Sequence, residues 1–429
     1  MTDRTPLDAW IAARIGAGPL TPEVLNHYQQ QKLQETIAWA RAHSAVYGRR
    51  LNSCGGTAIE ALPLTSAADL RENPGGFLCV SQSEVSRVVT LHSSGTTGEP
   101  KRIYFTAEEQ DLAIDFFRHG IATLAGPEDP VLIALPFQRS GSVGDLLATG
   151  IRRMGATPVP YGPVSDPASA LDWIRRERVT CVVGIPVELL GMARCRNRPA
   201  PQVRSVALCS DYVSDSIVRT LRESWGCAVF QHYGSTEMGL GGGVDCGAHD
   251  GYHLREADLY FEVVHPETGE TLPPGEYGEV VFTTLTRRAM PLIRYRTGDI
   301  SRLLPGRCAC GSVLRRLERV RHRVDGTIVL GRFGNISMPA LDEALFPIPG
   351  VTQFLPSLHG VSPRLTLKIK ICAPGRPAGE LQEVARAALE SVPGIRDSRR
   401  HDALQLVVQA VASLDSAPAG KRRIDRWAA

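Results

Sequence analysis

Residues 180–233 read TCVVGIPVELLGMARCRNRPAPQVRSVALCSDYVSDSIVRTLRESWGCAVFQHY, and this stretch decides the fold class. Its short apolar runs CVVG, SVAL and CAVF alternate with two helix-like segments, 187–194 and 213–225. Strands that alternate with helices in this way form parallel β-α-β units, whose helices cover both faces of the sheet. The same alternation begins upstream, at VLIALP in residues 131–136. The sequence therefore predicts an α/β protein.

The pattern changes twice further along the chain. After residue 251, the period-two segments DLYFEVVH and YGEVVFTTL are joined by the turn residues LPPGE, which predicts antiparallel hairpins. After residue 323, strand patterns RLTLKIKI and LQLVVQAV alternate with helix patterns at 339–346 and 380–391. A chain of 429 residues is longer than one hydrophobic core usually organises, so more than one domain is expected. We therefore expect a large N-terminal portion, residues 1–323, with parallel sheets plus an antiparallel β region, and a small α+β C-terminal domain, residues 324–429.

Composition and charge exclude several classes of protein. Hydrophobic residues make up 43% and charged residues 22% of the chain, as in ordinary globular proteins, and the net charge is only +3. Short basic clusters such as Lys421–Arg426 predict solvated faces rather than a nucleic-acid surface. No apolar run reaches the roughly 18 residues of a membrane span, and the N-terminus lacks an apolar signal core. We expect a cytoplasmic protein with no nucleic-acid or membrane partner.

The first candidate site is a loop rich in small and hydroxyl residues, placed between a β-prone run and a helix pattern. Glycines let a backbone approach a phosphate closely, and clustered hydroxyls and amides can surround its oxygens. The spacing differs from that of a Walker A loop, and a plain surface turn is the alternative. The candidate ligands of this loop are Ser93, Ser94, Gly95, Thr96, Thr97 and Gly98.

Three further segments carry polar residues that suit a nucleotide. Directly after the strand CAVFQ, the loop HYGSTE lies where parallel sheets place ligands. An aromatic ring there can stack on a base, a hydroxyl can hold a phosphate and a carboxylate can bind Mg²⁺. The segments RYRTGD and RVDG offer a carboxylate for a ribose and an arginine for ribose or phosphate oxygens. Each is weak alone, since such residues also serve ordinary packing and structural ion pairs. The candidates are Tyr233, Gly234, Ser235, Thr236, Glu237, Asp299 and Arg323.

In this order and spacing, the four segments closely resemble the adenylate-forming superfamily of acyl-CoA synthetases, and within it the phenylacetate-CoA ligase and coenzyme F390 synthetase group. The resemblance covers roughly residues 85–345 and extends more weakly to the C-terminus. It implies ATP-dependent adenylation of a carboxylic acid, followed by thioester formation with coenzyme A and release of AMP and pyrophosphate. It also implies the following roles: Ser93, Ser94, Thr96 and Thr97 near the pyrophosphate, Tyr233 at the adenine, Thr236 at the α-phosphate and carboxylate, Glu237 on Mg²⁺, and Asp299 with Arg323 at the ribose.

The resemblance also gives roles to the C-terminal region. Lys421, in PAGKRRID, matches the lysine that contacts the carboxylate and the α-phosphate during adenylation. A cation there can neutralise the charge that develops as carboxylate attacks phosphate. Asp325 matches the hinge about which a mobile C-terminal domain swings, and Gly334 the glycine that lines the thiol channel. A solvated basic tail is the alternative for Lys421.

Cysteines and a histidine form a candidate zinc site. Most of the ten cysteines stand alone in apolar surroundings, but Cys246 precedes His253 by seven residues, and Cys308 and Cys310 form a C-x-C pair. A cysteine, a histidine and a C-x-C pair supply the four ligands of a closed structural Zn²⁺ site. Members of the resembled group carry similarly placed zinc ligands. Free thiols are the alternative, and His249 is an alternative to His253.

The chain departs from the resembled group near the expected acyl pocket. Related enzymes have a Gly-Ala-Glu or Gly-Gly-Glu turn upstream of YGSTE, whereas residues 209–212 here are CSDY. Gln138 and Arg139 replace a Tyr- and Gly-rich run, and they either face a polar substrate or point to solvent. We therefore expect an aryl or arylacetic acid without naming it. A carrier-protein thiol or an amine is the alternative acceptor to coenzyme A, and a catalytically silent nucleotide-binding module is the rival from another class. The oligomeric state stays open, with a dimer as one candidate.

Overall fold

The structure is a computed structural model that describes residues 4–52, 58–91, 100–195, 200–361, 364–414 and 422–427. Within these residues the helices are α1 (Leu7–Arg14), α2 (Pro22–His43), α3 (Ala45–Asn52), α4 (Ala67–Glu72), α5 (Ala107–Ile121), α6 (Val143–Arg153), α7 (Pro167–Arg176), α8 (Pro186–Ala193), α9 (Asp215–Trp225), α10 (Met338–Leu345), α11 (Ala378–Leu389) and α12 (Pro393–Arg400). The strands are β1 (Arg87–Leu91), β2 (Lys101–Phe105), β3 (Pro130–Ala134), β4 (Thr157–Pro160), β5 (Cys181–Gly184), β6 (Ser205–Leu208), β7 (Ala228–Tyr233), β8 (Gly243–Val244), β9 (Tyr252–Leu254), β10 (Leu259–Val264), β11 (Gly278–Thr284), β12 (Tyr295–Ser301), β13 (Leu303–Leu304), β14 (Arg316–Leu317), β15 (His322–Arg323), β16 (Thr327–Val329), β17 (Asn335–Ser337), β18 (Gln353–Val361), β19 (Arg364–Cys372), β20 (Leu404–Val411) and β21 (Asp425–Trp427).

The chain forms two compact units. The first comprises Met1–Glu128, Phe137–Pro158 and Phe230–Val320, and the second comprises Asp129–Pro136, Val159–Val229 and Arg321–Ala429. The division into domains at residues 323 and 324 stays a prediction. No helix in the described part of the chain is both long enough and apolar enough to cross a bilayer.

The first unit is built around antiparallel strands. β10 pairs with β11 and β11 with β12, both antiparallel, and β1 with β2 forms a separate antiparallel pair. The predicted hairpin of DLYFEVVH and YGEVVFTTL is therefore confirmed. Phe261 and Phe282 face the core with at most 1% of their surface exposed, and Tyr47 and Phe77 from the N-terminal helical region belong to the same apolar cluster.

The second unit contains the predicted parallel sheet. Val131 of β3 pairs with Cys181 of β5, and Val182 of β5 pairs with Val206 of β6, all in parallel register. All residues of β5 and β6 are buried, as expected for strands covered by helices on both faces. The α/β fold class is thus confirmed.

The C-terminal part of the second unit is a mixed sheet of order β20-β19-β18-β21. β18 and β19 are antiparallel, while β20 and β21 each add a parallel edge. The predicted strands RLTLKIKI and LQLVVQAV are β19 and β20, and the two predicted helices are α10 and α11. This region has the expected α+β composition.

Candidate functional site

The predicted phosphate loop connects two paired strands. Ser93, Ser94, Gly95, Thr96, Thr97 and Gly98 lie outside the described residues. Their flanks are described: Leu91 at the end of β1 pairs directly with Lys101 at the start of β2. The two ends of the loop are therefore neighbours in the first unit. We call this pair, Leu91 and Lys101, the base of the loop.

Lys101 joins three of the sequence motifs. Its Nζ forms an ion pair with the carboxylate of Glu237 and donates a hydrogen bond to the hydroxyl of Tyr295 at 3.1 Å. The Tyr295 hydroxyl in turn donates to Glu237 Oε1 at 3.3 Å. Lys101 ends the hydroxyl-rich loop, Glu237 ends HYGSTE and Tyr295 belongs to RYRTGD. Segments that are far apart along the chain thus converge on one carboxylate.

A tight turn after β7 places Glu237. Gly234 is required there, because a Cβ at this position would lie 2.6 Å from the carbonyl oxygen of Leu240. The Leu240 amide returns to Ser235, where it donates to the carbonyl oxygen at 2.9 Å. Arg287 fixes the far end of the turn, since its Nη1 donates to the Glu237 carbonyl oxygen at 2.7 Å. Thr236 is half-buried within this turn.

The charge of Glu237 is stabilised although its side chain is only 8% exposed. Burial alone raises the pKa of this carboxyl, but the ammonium of Lys101 and hydrogen bonds from its surroundings outweigh burial and leave the pKa below its ordinary value. Glu237 is therefore an anion that already forms an ion pair with one cation, the ammonium of Lys101. Such a group is suited to bind a second cation that arrives with a nucleotide.

Asp299 is placed by a bulge in the antiparallel sheet. The register between β11 and β12 shifts between Glu279 and Val281, and Gly298 adopts φ +75°, which a residue with a side chain rarely adopts. Asp299 Oδ2 accepts a hydrogen bond from the Tyr233 hydroxyl at 2.9 Å. The predicted adenine and ribose residues therefore contact each other, and their roles toward a nucleotide stay predictions.

Two further predicted residues belong to the C-terminal part of the chain. Arg323 belongs to the second unit, in β15, and its role at the ribose stays a prediction. Lys421 lies outside the described residues. The neighbouring Arg422 is described, and its side chain is only 6% exposed, so the expectation that the run Lys421–Arg426 is a solvated face is wrong for Arg422. Gln138 and Arg139 are exposed.

The four predicted zinc ligands meet in one buried cluster. The ligand atoms of Cys246, His253, Cys308 and Cys310 all lie within 4.8 Å of one another. The sulfurs of Cys246 and Cys308 are 3.6 Å apart, and Cys310 Sγ lies 3.4 Å from His253 Nε2. Tetrahedral zinc ligation places two sulfurs about 3.8 Å apart and a sulfur and a nitrogen about 3.5 Å apart. The alternative ligand, His249, instead directs Nδ1 to Asp245 Oδ2 at 3.0 Å.

His232, the first residue of HYGSTE, has an unusual environment. Its ring packs beside Phe116 and Phe117, and its Nε2 is buried with no hydrogen-bond partner among the described residues. Burial lowers the pKa of His232 to about 4. The imidazole is therefore neutral in the folded protein over the physiological pH range.

This environment predicts an acid-sensitive stability. Because the folded pKa of His232 lies below the unfolded value, the folded state resists protonation and loses stability as pH falls below about 6.5. When the pH is lowered from 8 to 5, the free energy of unfolding is expected to fall by about 2 kcal/mol less in His232→Gln than in the unaltered chain. Urea unfolding at the two pH values measures this difference. His43→Gln, at an exposed histidine, is the control; equal acid sensitivity of all three proteins contradicts the assignment.

The structure adds three residues that received no role from the sequence. Tyr295 stands inside RYRTGD and Lys101 follows the hydroxyl-rich loop by three residues, which is the signal that singles them out, although no motif specifies their contacts with Glu237. Arg287 had no such signal. Its guanidinium is buried over the Phe105 ring at 4.8 Å, and burial lowers its pKa to about 10.

Lys101, Glu237 and Tyr295 bring together three motifs that are typical of an enzyme of the adenylate-forming class. Residues 19–285 match the family of AMP-binding enzymes, so the chain belongs to that family. This result confirms the resemblance that the motifs carry.

Named relatives and solved structures agree with this assignment. The phenylacetate-coenzyme A ligase of Pseudomonas putida is 29% identical over 370 residues, which are 82% of this chain and 80% of that protein. The phenylacetate-coenzyme A ligase of Aromatoleum evansii is 31% identical over 325 residues, 73% of this chain and 72% of that protein. A crystal structure of 2-hydroxyisobutyryl-CoA ligase with 2-HIB-AMP, in the postadenylation state, superposes with a TM-score of 0.78 over 94% of this chain and 90% of that chain. Its 20% sequence identity supports the common fold.

Proposed function

We propose that this chain is an AMP-forming acid–coenzyme A ligase that acts on an aryl or arylacetic acid. The observation that carries the proposal is the meeting of Lys101, Glu237 and Tyr295 at the base of the hydroxyl-rich loop. Three motifs of a nucleotide site contribute to that meeting point. The similarity to phenylacetate-coenzyme A ligases over most of the chain supports both the reaction and the class of acid.

The reaction has two halves. A carboxylate oxygen of the acid attacks the α-phosphorus of ATP, and the bond to pyrophosphate breaks. A thiolate then attacks the acyl carbon and AMP leaves. Positioning and charge neutralisation supply most of the catalysis in the first half, as in other phosphoryl displacements. In this chain, Thr236 and the loop 93–98 would hold phosphate oxygens, while Tyr233, Asp299 and Arg323 would hold the nucleoside.

Glu237 fits the protein part of a Mg²⁺ site. Mg²⁺ is usually held by one or two carboxylates together with substrate phosphates and water, and Glu237 supplies one such carboxylate, which is buried and ionised. Bound Mg²⁺ would neutralise phosphate charge as a Lewis acid. Lys101 would keep the Glu237 side chain in place by its ion pair until Mg-ATP arrives.

The cluster of Cys246, His253, Cys308 and Cys310 fits a structural Zn²⁺ ion. All four residues are buried, their separations suit tetrahedral ligation, and cysteine and histidine are the ligands that zinc prefers. Four protein ligands leave no open position for substrate. The ion would therefore join β9 to the segments that carry the three cysteines and take no part in the chemistry.

Lys421 is proposed to act in the first half of the reaction. Lys421→Ala is expected to lower acid-dependent ATP/pyrophosphate exchange at least tenfold, which is about 1.4 kcal/mol of transition-state stabilisation. The reason is the loss of a cation beside the developing charge. Arg423→Ala is the matched control, because this arginine lies in the same tail and its side chain is 56% exposed. Equal exchange in both variants removes Lys421 from the site.

An exchange screen tests the proposed function. The chain is incubated with Mg-ATP, labelled pyrophosphate and a panel of benzoic, phenylacetic and cinnamic acids, with and without coenzyme A. Acid-dependent exchange and a coenzyme A thioester are expected. Exchange without a thioester, but with acylation of a phosphopantetheinylated carrier protein or of an amine, favours those acceptors. Absence of exchange with every acid supports a silent nucleotide-binding module.

Other expectations remain part of the proposal. A C-terminal domain that turns about Asp325 between the two half-reactions would bring Lys421 to the site in the first half and Gly334 in the second. Dimer formation, the absence of nucleic-acid and membrane partners and a cytoplasmic location are likewise predictions from sequence.

A further inference from the structure

Tyr252 contacts a residue of the predicted nucleotide site and directly precedes a predicted zinc ligand. Its ring stacks on the ring of Tyr233, with 5.7 Å between the ring centroids and 24° between the ring planes. The hydroxyl of Tyr233 in turn donates to Asp299 Oδ2 at 2.9 Å. The next residue of β9 is His253, whose Nε2 lies 3.4 Å from Cys310 Sγ. Two consecutive residues of one strand therefore reach two different sites.

The two side chains leave β9 on opposite faces, because neighbouring residues of a strand alternate between faces. Gly243 of β8 pairs with Leu254 of β9 and also with Tyr233 of β7. Residues paired across strands share a face, and Tyr252 is two residues before Leu254. The side chain of Tyr252 therefore lies on the face of Tyr233, while His253 lies on the opposite face with the cluster.

Gly243 allows the two rings to meet across the strand between them. A Cβ at this position would lie 3.1 Å from the Cβ of Tyr252 and 2.9 Å from the carbonyl oxygen of His253. Because glycine has no side chain, β8 leaves space on this face and Tyr252 packs directly on Tyr233. Aromatic rings at this separation attract each other beyond the effect of burying their surface. The stack therefore restricts the position of the Tyr233 ring.

The backbone ladder alone gives Tyr252 limited support. β8 contains two residues and β9 contains three, so few hydrogen bonds hold these strands. The cluster of Cys246, His253, Cys308 and Cys310 provides the other attachment, since all four residues are buried and their ligand atoms lie within 4.8 Å of one another. A metal ion bound there would fix His253 and, through the backbone, Tyr252.

We propose that Tyr252 is a positioning residue for Tyr233, and that it couples metal binding at the cluster to binding of the adenine base. This inference rests on the proposed function, which assigns Tyr233 to the adenine. A nucleotide that binds to an already ordered ring loses less conformational entropy than one that must order the ring itself. By linkage, the nucleotide strengthens zinc binding by the same factor. The metal thus changes the affinity for the nucleotide without contact with the reacting atoms.

Equilibrium binding of AMP to the full chain tests this coupling. AMP retains the base and the ribose, and it lacks the polyphosphate chain that would itself chelate zinc. The zinc-loaded chain is expected to bind AMP about fivefold more tightly than the same chain after a chelator has removed the metal. In buffers that fix the free zinc concentration, saturating AMP is expected to raise the affinity for zinc by the same factor. Zinc is also expected to slow hydrogen–deuterium exchange at least threefold in the peptide containing residues 228–233.

Tyr252→Leu separates a positioning role from general stabilisation by the metal. With zinc bound, this variant is expected to bind AMP about fivefold more weakly than the unaltered chain. Its KM for ATP in pyrophosphate exchange should rise by a similar factor, while kcat changes less than twofold. Removal of zinc from the variant should then change AMP binding less than twofold, because the residue that transmits the effect is gone.

Two further variants are controls. Tyr252→Phe keeps the ring and is expected to retain both the AMP affinity and the effect of zinc on it. Tyr260→Leu makes the same change as Tyr252→Leu at a half-buried tyrosine of β10, whose ring lies 5.5 Å from the guanidinium of Arg315. This variant is expected to bind AMP as the unaltered chain does, with and without zinc.

Equal AMP affinity of the unaltered chain with and without zinc overturns the inference, and so does a purified chain that holds no zinc. A coupling that persists at full size in Tyr252→Leu also overturns it, because zinc would then act through the fold as a whole. Unchanged AMP binding by zinc-loaded Tyr252→Leu excludes a positioning role for the stack. If the unaltered, zinc-loaded chain binds neither AMP nor ATP, the proposed function itself fails. AMP binding without coupling leaves that function intact and refutes the role of Tyr252 alone.

Discussion

Glu237→Gln is expected to lower ATP/pyrophosphate exchange at least a hundredfold, which corresponds to about 2.7 kcal/mol of transition-state stabilisation. The amide keeps the shape of the side chain but removes the negative charge that pairs with Lys101 and that would bind Mg²⁺. Loss of a charged group that faces a transferring phosphate commonly has an effect of this size. If Glu237 holds the metal, the variant also needs a higher Mg²⁺ concentration for half-maximal exchange.

A matched control exists in the same unit. Glu262 is a buried carboxylate of β10 that pairs with Arg294 at 3.0 Å and has no contact with Lys101 or Tyr295 among its hydrogen bonds in the described residues. Glu262→Gln makes the same chemical change and is expected to lower thermal stability while exchange per folded molecule stays within threefold. If Glu237→Gln behaves like this control, Glu237 is a structural residue and the proposed site is wrong.

The candidate site illustrates what local sequence can and cannot predict. Glu237 and Asp299 are predicted because each lies in a short polar motif, and the physical demands of a phosphate or a ribose are local. The meeting of Lys101 with Glu237 joins residues 136 positions apart. Nothing in either motif specifies that contact, since it depends on how β2 and β7 are placed by the core of the first unit.

For Arg422 the sequence-based prediction of a solvated side chain is wrong, since the side chain is only 6% exposed. A run of basic residues is usually solvated, and the acidic residue nearest in sequence, Asp425, pairs with Arg423 instead of Arg422. Its partners, Asp211 and Asp342, lie 211 and 80 positions away. Burial of a charge is decided by tertiary partners, so the run could not be divided into exposed and buried members from sequence alone.

Fold prediction succeeded where one pattern dominated. The apolar runs of β5 and β6 are buried on both faces, and they were recognised because such strands need no alternation. β18 was not recognised: it contains Pro356 and Gly360, which disfavour strands. Pairing with β19 on one side and β21 on the other holds it extended. The helix α12, PGIRDSRR, escaped notice because its composition is typical of a loop.

The cluster of Cys246, His253, Cys308 and Cys310 connects parts of the first unit that have little other regular structure. Cys246 follows β8, His253 lies in β9, and Cys308 with Cys310 lies between β13 and β14. These four strands contain only two or three residues each, so their backbone ladders are short. Metal ligation would therefore supply much of the energy that orders this region, as in other small metal-stapled segments.

Cys308→Ser is accordingly expected to reduce bound zinc from about one ion per chain to below about 0.2, and to lower the free energy of unfolding by about 5 kcal/mol. A strong chelator should destabilise the unaltered chain similarly but have little effect on the variant, because the variant has no ion to lose. His249→Gln should retain zinc, since His253 faces Cys310. Cys79→Ser, at a buried cysteine outside the cluster, is the matched control. Elemental analysis of the purified proteins decides the matter: a stable, folded chain without zinc means that the four residues pack as thiols and an imidazole.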